Sequence, residues 1–334
     1  MTASPDSPGS PGTGVLEAER ASQDAAPMTR GTLGGERKHF AEQIALGLFI
    51  GIPFAALVAA VPIAWGWGLS WRDVVIAVVM YAITGHGITI GFHRYFTHGS
   101  FKANRAVRIG LAIAGNMAVQ GPLVRWVADH RKHHRFSDKE GDPHSPWRYG
   151  TGVGALAKGL WWAHMGWLFD VEQTSQEKYA PDLLKDRDIV RVSRQFPLWV
   201  ALSLALPALV GGLWSWSWQG ALTAFFWAGL VRVGLLHHVT WSINSICHAA
   251  GSRPFKSRDR SGNVWWLAIP SMGESWHNLH HADQTSARHG VLRGQLDSSA
   301  RLIRWMEKLG AAYDVRWPKP ERINAKLLKS TPSQ

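Results

Sequence analysis

Cysteine is nearly absent from this 334-residue chain, where Cys247 stands alone. A single thiol excludes an internal disulfide framework and any zinc or iron–sulfur site built on several cysteines. No HExxH sequence is present, which argues against a zinc protease of that kind. CxxCH and His-Pro-Gly-Gly are also missing, so no haem is held by those motifs. Gly150-Thr-Gly152-Val-Gly154 is glycine-rich but lacks the GxGxxG spacing of a dinucleotide loop. No nucleic-acid-binding motif and no internal repeat is found. Residues 1–38 contain no aromatic side chain and are rich in Ser, Pro, Gly, Ala and Glu, so a disordered tail is expected there. No early apolar stretch follows a basic patch, so no cleaved signal peptide is expected.

What the chain has is tryptophan, histidine and long uncharged runs. It carries 19 Trp, 16 His and a formal net charge of +12. Its mean hydropathy is near zero only because apolar residues are bunched. Ile44 to Leu69 holds no charge, and Val74 to Phe92 is interrupted only by His86. Crossing a bilayer core takes roughly 20 apolar residues, and uncharged runs this long mark membrane spans more often than buried core helices. Phe196 to Val231 is a further uncharged run, too long for one crossing. Ser215-Trp-Ser-Trp-Gln-Gly220 near its middle reads as a tight turn at the headgroup level. Four spans in two hairpins are therefore expected, at about 44–66, 74–92, 196–214 and 220–238. Ile109 to Val124 is apolar but short and polar at Asn116 and Gln120, and reads as a helix on or dipping into the interface.

Lysine and arginine set the orientation. Between spans one and two the only such residue is Arg72, and between spans three and four there is none. The block after span two carries Arg94, Lys102, Arg105, Arg108, Arg125, Arg131, Lys132 and Arg135. The block after span four opens with Arg253, Lys256, Arg258 and Arg260. Cytoplasmic blocks at 93–195 and 239–318 are expected, with both termini on that side and a basic tail at 319–334. The positive charge then faces an anionic leaflet, and no nucleic acid is needed to explain it.

Nine of the histidines fall into four groups, all in or at the edge of those blocks. They are His93-Arg-Tyr-Phe-Thr-His98, His130-Arg-Lys-His133-His134, Asn244-Ser-Ile-Cys-His248 and Glu274-Ser-Trp-His277-Asn-Leu-His280-His281. Positions three and four apart share a helical face, so each HxxHH triplet aims its imidazoles in one direction. His93 and His98 are five apart and converge only on a distorted helix end. Neutral imidazole is the common nitrogen ligand of transition metals. Nine imidazoles exceed the needs of one tetrahedral ion, and two metals is the economical reading. Carboxylates near the boxes can orient ligands from behind, and Asp129, Asp138, Asp142, Glu274 and Asp283 are the candidates.

This ordered set of boxes, with hydrophobic pairs between them over about residues 40–290, resembles the membrane fatty acyl desaturases of the stearoyl-CoA Δ9 type. The resemblance implies an all-α integral membrane protein of four transmembrane helices under a cytoplasmic helical cap. That cap would carry two Fe(2+) ions, with O2 as co-substrate. Carried over, the iron ligands are His93, His98, His130, His133, His134, His248, His277, His280 and His281, with Asn244 acting through water. The matching substrate-tunnel positions are Gln120, Trp126, Thr240 and Trp241, with Tyr81 in span two as a candidate for setting chain length. The implied reaction places a cis double bond, at Δ9, in a saturated long-chain acyl-CoA during unsaturated fatty acid biosynthesis. Electrons would come from a separate ferredoxin- or flavin-type donor, and the setting would be a bacterial cell membrane. Two departures bear on the carrier. Ala128 stands where animal members carry Arg, and Gly166–Glu172 is acidic where they carry a basic pair. Arg125, Lys132 and Arg148 are possible replacements, and a lipid- or protein-bound acyl chain is an alternative. A hydroxylase or ketolase on the same scaffold is another reading. A histidine-rich metal transporter is the reading of a different class, and would need ligands along a path through mid-membrane.

Overall fold

The computed structural model describes residues 37–66 and 68–328. Most of the expected tail at the N-terminus, and positions 329–334, lie outside the described residues. Helix dominates, and four helices are long and apolar enough to cross a membrane: Phe40–Ala64, Trp71–Thr97, Phe196–Ser215 and Trp218–Ser245. Besides short turns of helix at Gly166–Phe169, Gln176–Tyr179, Pro181–Lys185 and Trp265–Leu267, the helices among the described residues are α1 (Phe40–Gly66), α2 (Trp71–His86, continued as a π-helix over Gly87–Thr97), α3 (Arg105–Asn116), α4 (Leu123–Phe136), α5 (Val153–His164), α6 (Arg187–Arg194), α7 (Phe196–Ser215), α8 (Trp218–Ser245), α9 (His277–Ala282), α10 (Ser298–Lys308) and α11 (Pro320–Asn324). One two-residue pairing of β1 (Lys102–Ala103) with β2 (Ala312–Tyr313) ties the cap's first loop to its last.

Each hairpin closes by local chemistry. Ser70 caps α2, its hydroxyl accepting from Asp73 N while the Asp73 carboxylate accepts from Ser70 N, a reciprocal capping box. Thr223 Oγ1 donates to Asp73 Oδ1 (3.1 Å), which links the two hairpins at that end. Trp216 adopts a left-handed conformation at φ 49° and ends α7. Ser217 then caps α8 by accepting from Gly220 N. The turn therefore falls inside the expected Ser215–Gly220 stretch.

Helices α2 and α8 are central, and α1 and α7 flank them. In the most apolar window of each, 50% and 44% of residues are buried for α2 and α8, against 22% for both α1 and α7. Exposed Val58, Val61, Val78 and Leu209 give the outer faces a hydrocarbon surface suited to lipid.

Spans two and four run further at their inner ends than the apolar runs suggested, to Thr97 and Ser245. Hydrophobicity marks where a helix touches lipid, whereas backbone hydrogen bonding continues wherever protein replaces lipid. Ile90, Phe92, His93 and Arg94 are buried beneath the cap, so the helix extends through them. Span four also buries a cation. Arg232 donates to Ala228 O, Ser203 O and Ser203 Oγ, each at 2.9 Å, which satisfies it without a counter-ion.

The Ile109–Val124 segment forms α3, a reversing turn and the start of α4. Val119 (φ 61°) and Gly121 (φ 104°) make that reversal. Helix α3 lies against the π-helical end of span two so closely that a Cβ on Gly87 would sit 2.3 Å from Ala114 C and Gly115 N. At the other end of the chain, α11 and the residues after it dock on the cap. Lys256 N donates to Lys326 O and Leu328 N to Pro254 O, both at 2.8 Å.

Candidate metal centre

The first histidine pair owes its geometry to the π-helix. Its i to i+5 backbone bonding appears in His98 N donating to His93 O (3.2 Å), and the Thr97 hydroxyl also donates to Phe92 O (2.8 Å). Residues five apart then share a face, and the His93 and His98 rings lie 4.8 Å apart, edge to face. This is the distorted helix end that their spacing requires. The other boxes ride on α4, on the turn following α8, and on α9.

All nine box histidines converge, but they do so as two groups. His93, His98, His130, His134 and His280 form one, and His133, His248, His277 and His281 form the other. Each HxxHH triplet is thus divided. On α4, positions one and five serve the first group and position four the second; on α9 the assignment is reversed. The expectation that each triplet aims its imidazoles in one direction gains a finer rule. Two residues four apart bracket one centre, and the residue between them, rotated along the face, reaches its neighbour. The His134 and His281 rings stack at 4.5 Å where the groups meet.

The nitrogen positions fit metal ions. In the first group Nε2 atoms face each other at 3.1 Å (His93–His280) and 3.0 Å (His130–His134 and His134–His280). In the second they lie at 3.1 Å (His248–His277) and 3.0 Å (His277–His281). The buried His98 Nε2 finds no protein partner among the described residues. These separations match neighbouring ligands on one ion at metal–nitrogen distances of about 2.1 Å. Burial drives the pKa of His98, His130, His134, His277 and His280 well below the usual imidazole value, and that of His281 to about 4. These six rings are therefore held toward the neutral form, the one that binds metal.

Four carboxylates stand behind the rings. Asp142 Oδ1 accepts from His133 Nδ1 (3.0 Å), Asp138 Oδ2 from His248 Nδ1 (3.0 Å) and Asp259 Oδ2 from His281 Nδ1 (2.6 Å). Glu274 Oε2 lies 2.6 Å from His93 Nδ1. Such a partner fixes the tautomer and turns Nε2 toward the centre. Burial alone would raise the Asp142 and Asp259 pKa values, but the facing His133 and His281 hold both carboxylates ionised. Burial also opposes charge on His248, yet Asp138, Asp142 and Asp259 outweigh it and raise its pKa. Glu274 is itself anchored by buried Arg94 (3.0 Å), which also grips Asp297 (3.0 Å).

Two of the expected orienting carboxylates stand elsewhere. Asp129 lines a cavity, and burial raises its pKa. Asp283 pairs with Arg322 and lies 3.7 Å from Lys326, so it holds the C-terminal segment. Asp129 immediately precedes the second box and Asp283 follows the fourth, but neither carboxylate is paired with a box imidazole among the described residues. Asp259, conversely, carried no spacing signal, being 18 residues before His277 in a basic stretch. His289 and His144 were also outside the boxes. His289 Nδ1 is 3.5 Å from Glu274 Oε2, and His144 stacks on His133 at 4.2 Å.

A cavity of about 430 Å³ leads to the centre. Charged residues Lys38, Glu42, Arg125 and Asp129 stand in its wall with apolar Leu46, Phe49, Ile50, Phe196 and Pro197. His93, His130, His277 and Glu274 belong to the same wall, so the cavity reaches both groups. Gln120, Trp126, Thr240, Trp241 and Asn244 line it, and Gln120 Nε2 donates to Thr240 Oγ1 (2.9 Å) across it. Tyr81 is not part of that lining. The turn around Pro270 covers the inner half of span two, and the Tyr81 hydroxyl donates to Pro270 O (2.8 Å).

Comparison with known proteins follows this geometry. The fatty acid desaturase family model matches residues 69–289. The chain is 40% identical over 297 residues to a hex-5-enoyl-[acyl-carrier protein] acetylenase of Moorena producens, covering 88% of this chain and 91% of that one. It is 34% identical to an sn-1 stearoyl-lipid 9-desaturase of Anabaena variabilis, covering 80% and 91%. It is 37% identical to an acyl-CoA C20 Delta5-desaturase of Anemone leveillei, covering 75% of each. With a family model covering most of its length and such relatives matched over most of theirs, this helical membrane protein belongs to the fatty acid desaturase family.

Proposed function

We propose that the protein is an O2-dependent fatty acyl desaturase that places a cis double bond at Δ9 of a saturated long-chain acyl group. The single observation that carries this reading is the convergence of nine imidazoles, eight of them buried, as two adjoining groups that reach the wall of one cavity through His93, His130 and His277. The two groups would hold two irons, with Asn244 contributing through water from the cavity wall. Bound there, a di-iron centre supplies the oxidising power that no side chain has, enough to remove hydrogen from an unactivated methylene. The balance is one –CH2–CH2– segment, one O2, two electrons and two protons giving one –CH=CH– and two waters.

The protein's own part is to position and exclude. Trp126, stacked on His130 at 5.0 Å, and Trp241 stand in the cavity wall with the hydrogen-bonded pair Gln120 and Thr240. Together they would hold the chain at one depth and so choose the bond. The apolar lining keeps bulk water from the reacting carbons. Lys38 and Arg125 at the rim suit the phosphates of an acyl-CoA, the carrier we propose. Lys132 and Arg148 are not in that wall, and the Arg148 guanidinium instead lies 4.4 Å over the Trp162 ring. Electrons would come from a separate ferredoxin- or flavin-type protein, and the cap and both termini would face the cytoplasm.

Expression in a host that makes no unsaturated fatty acids, with lipid profiling by mass spectrometry, tests this. A Δ9 monoene in saturated chains is the expected product. Hydroxylated or ketone products would favour the other chemistry of this scaffold, and an acetylenic product would match the acetylenase of Moorena producens. Feeding acyl chains on CoA, on carrier protein and on phospholipid to purified enzyme assigns the carrier.

A further inference from the structure

A second pocket, of about 280 Å³, opens over the other side of the metal centre. Lys256, Arg258, Arg322 and Lys326 line it, and Asp283 is the one carboxylate in its wall. Asp283 is engaged by Arg322 and Lys326, which leaves Lys256 and Arg258 without an ion pair among the described residues. His281 forms part of the same wall, with its ring fully buried behind the surface. That ring's Nε2 lies 3.0 Å from His277 Nε2, and His277 lines the first cavity. The two pockets share no residue. They reach the second histidine group from different sides.

We propose that this basic pocket is where an acidic one-electron carrier protein of the iron–sulfur class docks, and that electrons enter the second histidine group through His281. The inference rests on the desaturase reading, which requires two external electrons per turnover. An acyl carrier's phosphates bound here would not sit at the cavity, since the two pockets share no lining residue. A small solvent reductant does not reach the buried ring. A protein with a negative face can dock against the unpaired Lys256 and Arg258, and its charge accelerates the encounter. Each docking oxidises the carrier by one electron and reduces the centre by one. Two dockings, with two protons, complete the balance given above without the donor meeting the acyl chain.

The test uses the iron-loaded enzyme in nanodiscs with a strongly acidic, reduced [2Fe–2S] ferredoxin, and follows ferredoxin oxidation by stopped flow. The Lys256→Glu/Arg258→Glu variant should slow that oxidation about tenfold, and the wild-type rate should fall steeply with ionic strength. The milder Lys256→Gln/Arg258→Gln variant should lie between, and covers the case in which charge reversal impairs folding. Product from a single turnover after chemical reduction should equal the wild type in both variants, with iron content unchanged. Equal oxidation rates in the wild type and both variants would overturn the proposal. So would a parallel loss of single-turnover product, which would place the pocket in substrate binding or folding. A wild type that oxidises the ferredoxin in this salt-dependent way, yet forms no unsaturated chain, would support the docking site and refute the desaturase reading.

Discussion

At the residue scale the account turns on which nitrogen faces the metal, and the carboxylates decide that. Asp259 makes the clearest case. It is the only one of the four that the boxes gave no reason to notice, and it sits 2.6 Å from His281 Nδ1. Losing such a partner costs about 10–100-fold in metal affinity or activity. Asp259→Asn should therefore bind one iron normally and the other more weakly, measured by iron titration, because only the second histidine group contains His281. Loss of both irons together, or of neither, would contradict the role assigned to it. The pH dependence follows from the same burial. An unfolded imidazole titrates near 6.5, whereas burial takes His281 to about 4 and five other box histidines well below 6.5. Between those values the unfolded chain binds more protons, so stability falls as pH falls. His248 works the other way, but it is one group against six. Asp142 and Asp259 stay ionised throughout that window. Chelator-stripped protein should lose thermal stability steadily from about pH 6.5 to about pH 4. A flat or rising unfolding temperature over that range would show that the rings are not held neutral.

At the scale of elements, the π-helix at the end of span two is the device that makes a five-residue histidine spacing useful. It needs α3 pressed against it, and Gly87 allows the approach. Gly87→Ala would place a methyl 2.3 Å from the backbone of Ala114 and Gly115, which cannot yield as a side chain can. Overpacking of this kind costs about 1–3 kcal/mol. We expect a lowered unfolding temperature together with weakened iron binding at the group containing His93 and His98, read by thermal melts and metal titration. Unchanged melting would mean α3 does not set the geometry. The sequence carried the need for a distorted helix end in the spacing of His93 and His98, and it carried both hairpins in their uncharged runs. It did not carry the inner ends of spans two and four. There the chain is buried by the cap rather than by lipid, and composition alone does not record which medium covers a residue. Asp129 and Asp283 show the same limit from the polar side. Each stands near a box in sequence, but one lines the cavity and the other pairs with Arg322.

At the scale of the whole molecule, two layers divide the labour. Helices α1, α2, α7 and α8 present apolar faces suited to a bilayer, and the cap brings imidazoles from nearly two hundred residues of chain to one place. The cavity runs along the join, walled by the first turns of α1 and α7 and by residues of α4 and α8. Long-range placement of this kind is legible only in part from sequence. The boxes announce shared ligation, whereas the split of each triplet between two groups depends on how α4 and α9 cross. The most direct test is the metal content of the purified wild-type protein after iron loading, measured by mass spectrometry of the elements alongside amino-acid analysis. The account predicts two irons per chain, falling in the His133→Ala/His277→Ala variant to one. One iron or none in the wild type, or two in the variant, would contradict it.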